Sequence, residues 1–416
     1  MNISLGMLPL RRLLGIGLAL FAAYSPAATL VVTSANDSGA GSLRQTIATA
    51  TSGDTITFDP ALNGSVITLT SGQLSITNMN LSIQGPGPSL LAINGNATSR
   101  VILVESTIAS KRWNVSISGL SITNGFVSNA SPGGAGGGGI RTSTSAYNFF
   151  LTFTVSNCIV RANQATTSPY EGGGGICTSR ETDLTLVDCE IIDNTATVYG
   201  GGGIWCRGSA VISRCTFAGN KTSNLGGALL LRSGNLVSIR NSTFSGNSSI
   251  LNGTGSAGGA IYAQEKGNVA IYNSTITTNS AKTKCGGIMT SADIVTMYLQ
   301  STIVSDNVDV QGSPDISGVF HGVTNCLIQV TNGVSVVGAN NIFGQSALLE
   351  PLAYNGGLTR THALKRKSPA IDHGYNPLNL VTDQRGASFP RLLGVAVDIG
   401  SYEFIPPPSA TVIVIR

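Results

Sequence analysis

The acidic side chains are where chemistry would begin. Four carboxylates fall close together at Asp183, Asp188, Glu190 and Asp193, with Arg180 and Glu181 just before them. Two carboxyl groups at a fixed gap can hydrolyse a glycosidic bond, one as acid and the other as nucleophile or base. Acids that hold Ca²⁺ beside a basic proton acceptor could instead serve an elimination. These four are the candidate catalytic residues, and a solvated strand face is the alternative reading. A second group lies near the C-terminus: Asp372, Asp383, Arg385, Asp398 and Glu403, with His362 and His373. There the expectation is structural, with Arg385 paired to one or two of the acids.

The other reactive residues point away from metals and phosphates. The seven cysteines are Cys158, Cys177, Cys189, Cys206, Cys215, Cys285 and Cys326. They form no Cys-x-x-Cys or Cys/His spacing, so neither a metal nor a cofactor is expected. The runs Gly136 to Gly139 and Gly172 to Gly175 are not followed by Gly-Lys-Ser/Thr, so they are not phosphate loops. Lys and Arg number 24 against 20 acids, and only 11% of residues are charged, which argues against a nucleic-acid partner.

A repeat must position whatever chemistry exists. A Cys or Ser, one residue, an aliphatic or Phe, two residues and then Asn recur through the middle of the chain. The copies end at Asn163, Asn194, Asn220, Asn247 and Asn279, with Asp306 read as a sixth, at spacings of 31, 26, 27, 32 and 27 residues. The apolar position recurs as Val160, Ile191, Phe217, Phe244, Ile276 and Ile303, and two residues earlier stand Cys158, Cys189, Cys215, Ser242, Ser274 and Ser301. The intervening residue is mostly polar and β-branched, which is the period of a strand. A further apolar column at Val155, Leu186, Ile212, Ile239, Ile271 and Tyr298 has an odd offset, implying a bend between two short strands. Strand, corner, strand and Gly turn at this period predict an all-β chain. The expected fold is a right-handed single-stranded parallel β-helix, a pectate-lyase-like solenoid of roughly ten or eleven coils.

In that fold Asn suits a left-handed corner and can bond to the Asn of the next coil, about 4.8 Å away. Asn163, Asn194, Asn220, Asn247 and Asn279 are thus read as structural. Cys158, Cys189 and Cys215 are read as inward packing, with one disulfide in the column left open. Nearly all length variation falls in the turn after the Asn. Its long versions, Gln164 to Gly172 and Ser248 to Ser256, should project from one edge, as binding loops around Tyr170 and Asn252 or as tolerated insertions.

Along the chain, residues 1–28 read as a signal peptide, with Arg11 and Arg12 before the apolar run Leu13 to Ala23. No later stretch is long enough to span a membrane as a helix. Residues 29–55 form an N-terminal cap, in which Ser42-Leu43-Arg44-Gln45 has capping-box form and opens a short helix. Residues 56–347 are the β-helix, 348–404 a C-terminal cap locked over the last coil by Arg385, and 405–416 a Pro-rich tail.

Three stretches resemble known bacterial families. Gly226-Gly227-Ala228-Leu229 and Gly258-Gly259-Ala260-Ile261, with Phe217-Ala218-Gly219-Asn220 and Phe244-Ser245-Gly246-Asn247, resemble the repeats of polymorphic outer-membrane proteins. Ser42-Leu43-Arg44-Gln45 with Gly53-Asp54-Thr55-Ile56 resembles the CSLREAI segment of exported β-helix proteins, although Gly41 and Gln45 replace its Cys and Glu. Residues 348–404, including Ser368-Pro369-Ala370-Ile371-Asp372, Thr382-Asp383-Gln384-Arg385-Gly386 and Val397-Asp398-Ile399-Gly400, resemble a choice-of-anchor (type Q) domain. The resemblance implies a secreted or cell-surface protein, associated with the outer membrane, that serves display, adhesion or extracellular glycan contact. Its partner would be a polysaccharide or a host or neighbour surface. The alternative is a polysaccharide lyase or glycoside hydrolase on the same scaffold, but the paired-Asp and Gly-His-Gly motifs of polygalacturonases are absent.

Overall fold

The computed structural model describes residues 27–128, 136–144, 148–166, 171–232, 236–250, 255–265, 267–291, 295–309, 315–331 and 334–406. Nearly all of the expected signal peptide, the loop tips around Tyr170 and Asn252, and residues 407–416 of the Pro-rich tail lie outside these residues.

The strands build four parallel sheets, and each full coil visits them in turn. Sheet I has eleven strands from Thr29–Val32 to Gly322–Thr324. Sheet II also has eleven, from Ser65–Thr68 to Ile342–Phe343. Sheet III has seven, from Phe126–Ser128 to Val308–Asp309, and sheet IV nine, from Leu74–Thr77 to Ile316–Ser317. The result is a β-solenoid of about ten coils, in which the described residues include a seven-residue α-helix, α1 (Leu43–Thr49). Ser42 caps that helix, its hydroxyl accepting from the Gln45 N–H at 3.2 Å. Leu43 and Ile47 on its buried face join the core beside the first strands of sheets I and IV. No described helix is long and apolar enough to cross a membrane.

Inward columns carry the core. In sheet II, Val160, Ile191, Phe217, Phe244, Ile276 and Val304 stack in register, with the Phe217 and Phe244 rings 4.5 Å apart and parallel to within 4°. Each such side chain contributes about 2 kcal/mol by leaving water. The sixth row thus corrects the sequence alignment by one residue. Thr302, Val304 and Asn307 hold the positions assigned to Ser301, Ile303 and Asp306, and buried Leu299 replaces Tyr298, which is exposed. Cys158, Cys189 and Cys215 are buried free thiols, and burial pushes Cys158 up to about 12.

The polar column is a continuous amide ladder. Asn163, Asn194, Asn220, Asn247 and Asn279 each donate from Nδ2 to Oδ1 of the Asn in the next coil, at 2.8–3.0 Å. Their backbone N–H groups donate to the same oxygens. The ladder residues do not take the left-handed conformation expected of them. Their predecessors do: Ala162, Asp193, Gly219, Gly246, Thr278 and Asp306 have φ between 53° and 65°. The Asn is selected for its amide, which satisfies the buried corner.

Residues 348–404 do not close the end of the solenoid. They run back along the outer face of sheet II as a strap, bonded to Glu190, Thr216, Thr243, Thr275 and Ser301 on five successive coils. The reason is chemical: those outward positions are buried polar groups that need partners. Gln384 alone donates to Thr216 Oγ1 at 3.0 Å and accepts from Thr243 Oγ1 at 2.6 Å.

Candidate ligand cleft on sheet IV

The strands of sheet IV follow the Gly-rich turns. Their inward residues Ile140, Ile176, Ile204, Leu229, Ile261 and Ile288 fill the core, so the next residue in each coil faces outward. That outward column reads Arg141, Cys177, Trp205, Leu230, Tyr262 and Met289. From Cys177 onward it is apolar, and Tyr199, Leu225 and Ala257 from the preceding turns cover it. These turn residues therefore fold back over sheet IV. Gly201 permits this at φ +73°, where a Cβ would lie 2.3 Å from the Ile204 carbonyl oxygen.

Where the column turns polar, a cleft of about 200 Å³ opens. Its charged walls are Arg141, Glu171, Arg180, Glu181 and Arg207. Arg141 pairs with Glu171. The Arg207 guanidinium stands 5.4 Å from the ring centre of Trp205, a cation–π contact. The polar side is held rigidly: the Thr142 and Ser179 hydroxyls each lie 2.8 Å from that of Thr182. The Ser179 N–H also donates to Thr142 Oγ1 at 3.0 Å. Along the axis the strip continues with Arg232 and Glu265 at 2.8 Å, and Glu265 lies 3.8 Å from Arg180. Burial pushes the Cys177 thiol up to about 11, so it is protonated and no nucleophile at neutral pH. Such a surface can hold a polyhydroxylated or anionic group through charge-assisted hydrogen bonds. Among the described residues, no group of three or more His, Cys, Asp or Glu is arranged to hold a metal ion.

Comparison with known proteins agrees with this architecture. The sequence model described as a right handed beta helix region matches residues 174–348. The crystal structure of pectate lyase Pel9A superposes on the chain with a TM-score of 0.52, covering 92% of this chain and 97% of that one at 15% identity. The scaffold is a right-handed parallel β-helix. The likeness to Pel9A lies in the fold. No curated protein matches the chain in sequence.

On this β-helix the four acids singled out from sequence do not converge. Asp183 sits on the outer face of sheet I, 2.6 Å from Arg112. Asp188 occupies the left-handed corner before sheet II and pairs with Arg214 at 2.7 Å. Glu190 faces the strap, accepting from the backbone and side chain of Arg360 at 3.0 and 2.9 Å and from the Tyr354 hydroxyl at 3.1 Å. Asp193 lies at the next corner, with φ 56°. One turn of the helix spreads them over the outer faces of sheets I and II and the two corners, while Arg180 and Glu181 just before them line the cleft.

The C-terminal group sits inside the strap. Arg385 lies between the rings of Phe389 and Tyr402, 4.1 and 3.8 Å from their centres, and bonds Asp383 at 2.6 Å. Asp398 accepts from the N–H groups of Asp372 and Phe404 at 2.8 and 2.6 Å. Burial pushes Glu403 up to about 7, opposed by the nearby Arg391. His362 bonds Ser245 and the Glu350 carbonyl, and burial lowers its pKa. Apart from His362, which reaches Ser245, these contacts lie within the strap and away from the cleft.

Proposed function

We propose that the protein is an exported or cell-surface β-helix that holds an extracellular glycan on the outer face of sheet IV without cleaving it. The observation that carries this reading is the polar cleft bounded by Arg141, Glu171, Arg180 and Arg207, which continues along the helix axis to Arg232 and Glu265. Parallel coils present such groups at a spacing of about 4.8 Å, a geometry suited to a linear polymer. Export rests on the sequence around Arg11 to Ala23. Surface display rests on the choice-of-anchor resemblance of residues 348–404.

A second reading, cleavage by lyase or hydrolase chemistry, is favoured by one feature: Glu171 and Glu181 line the same cleft as Arg180. The two readings separate when the mature chain is incubated with neutral and acidic polysaccharides, with and without Ca²⁺. Retention with unchanged polymer length supports binding and display. Shortened polymer supports the enzyme. No retention and no cleavage contradict both.

A further inference from the structure

We infer that the cleft selects an anionic sugar unit, one bearing a carboxylate or a sulfate ester, and that Arg180 and Arg207 make the selecting contacts. This rests on the glycan-binding reading and names the ligand class for the same site.

Arg141, Arg180 and Arg207 line the cleft together with Glu171 and Glu181. Behind them Arg100, 1% exposed, donates to the carbonyls of Gly136 and Gly137 and to Gln73 Oε1. With Arg232 and Glu265 on the adjoining strip, five guanidinium groups thus stand against three carboxylates. Arg141 is committed to Glu171. Among the described residues Arg180 pairs only with Glu265, at 3.8 Å, and Arg207 makes no ion pair. Cation surplus is therefore concentrated on these two side chains.

The Nε–H groups of Arg141 and Arg207 are buried without an acceptor among the described residues. Neither guanidinium is thus fully satisfied within the described fold. A guanidinium fork matches two oxygens of a carboxylate or sulfate better than it matches a sugar hydroxyl. Arg207 is also braced over Trp205, which removes conformational freedom before any ligand arrives. A volume of about 200 Å³ corresponds to about seven waters, room for one sugar unit.

The test uses the mature full chain, its Arg180→Gln and Arg207→Gln variants, and Arg112→Gln as an equal charge change on sheet I. Each is passed over immobilised polygalacturonate, dextran sulfate and neutral dextran, with thermal midpoints checked to confirm folding. Loss of one charge-assisted contact predicts about tenfold weaker retention. Arg180→Gln and Arg207→Gln should lose this on a carboxylate or sulfate polymer, and Arg112→Gln should not. Retention on only one of the two acidic polymers identifies the anion and supports the inference. Equal retention on neutral dextran, or equal loss in Arg112→Gln, overturns the inference while glycan binding stands. No retention on any polymer overturns the glycan reading itself.

Discussion

Asn307 donates from Nδ2 to Oδ1 of Asp315 at 2.8 Å, and its backbone N–H donates to the same oxygen at 3.0 Å. The amide ladder that starts at Asn163 therefore ends on a buried carboxylate. Oδ2 of Asp315 accepts from the Val330 N–H at 2.8 Å, which ties the ladder to the last coils. Burial pushes Asp315 up to about 6 against these hydrogen bonds.

Breaking the ladder in its middle should be costly. Asn220 accepts twice from Asn194 and donates to Ile191 O and Asn247 Oδ1. Asn220→Ala strands several buried groups, and a loss of about 3 kcal/mol or more is expected in denaturant unfolding. A loss below about 1 kcal/mol would show that neighbouring coils absorb the defect.

The cysteine column should tolerate serine. The Ser242 and Ser274 hydroxyls donate to the carbonyls of Arg240 and Tyr272, two residues back, at 2.9 and 2.8 Å. Cys215 Sγ makes the same contact with Ser213 O at 3.3 Å. Cys215→Ser should thus shift stability by less than about 1 kcal/mol, whereas other polar swaps in a core cost more. A large fall in thermal midpoint would contradict this equivalence.

The strap should loosen when its lock is removed. Arg385→Ala leaves Asp383, which is fully buried, without its partner, a change that costs about 3–5 kcal/mol. Residues 348–404 should become sensitive to protease while the amides of the Asn163 to Asn247 ladder stay protected from hydrogen exchange. Unchanged proteolysis would show that the hydrogen bonds to sheet II hold the strap alone.

The strap also carries a pH dependence of known sign. Glu403 binds its proton more tightly in the folded chain, about 7, than at its ordinary value of 4.5. Its contribution is complete below 4.5 and is lost as pH rises through about 7. His362, lowered by burial from 6.5, acts in the opposite sense, its contribution lost as pH falls. The fall in thermal midpoint from pH 5 to pH 8 should be smaller in Glu403→Gln than in the wild type. Parallel curves would rule Glu403 out as the titrating group.

The fold was legible because every coil must satisfy the same corner, so the same residues return. Its register slipped where two answers nearly fit, Ser301 to Asp306 and Thr302 to Asn307; the strand pairing, with Leu299 buried and Tyr298 exposed, decides for the second. The course of the strap was not legible, because Arg360 meets Glu190 across 170 residues of sequence. The cleft was hidden for a related reason. Its residues come from separate coils and form no linear motif, although Arg207 and Arg232 each stand three residues after the inward Ile204 and Leu229. Aligning coils on that position would have put the two arginines in one column.

The most direct test of the account is hydrogen exchange on the mature chain with and without saturating acidic polysaccharide, with polymer length measured on the same samples. The account predicts protection confined to residues 141–144, 177–181 and 205–207, none on the sheet I strand Arg112–Ser118, and polymer of unchanged length. Protection on another face, or shortened polymer, would contradict it.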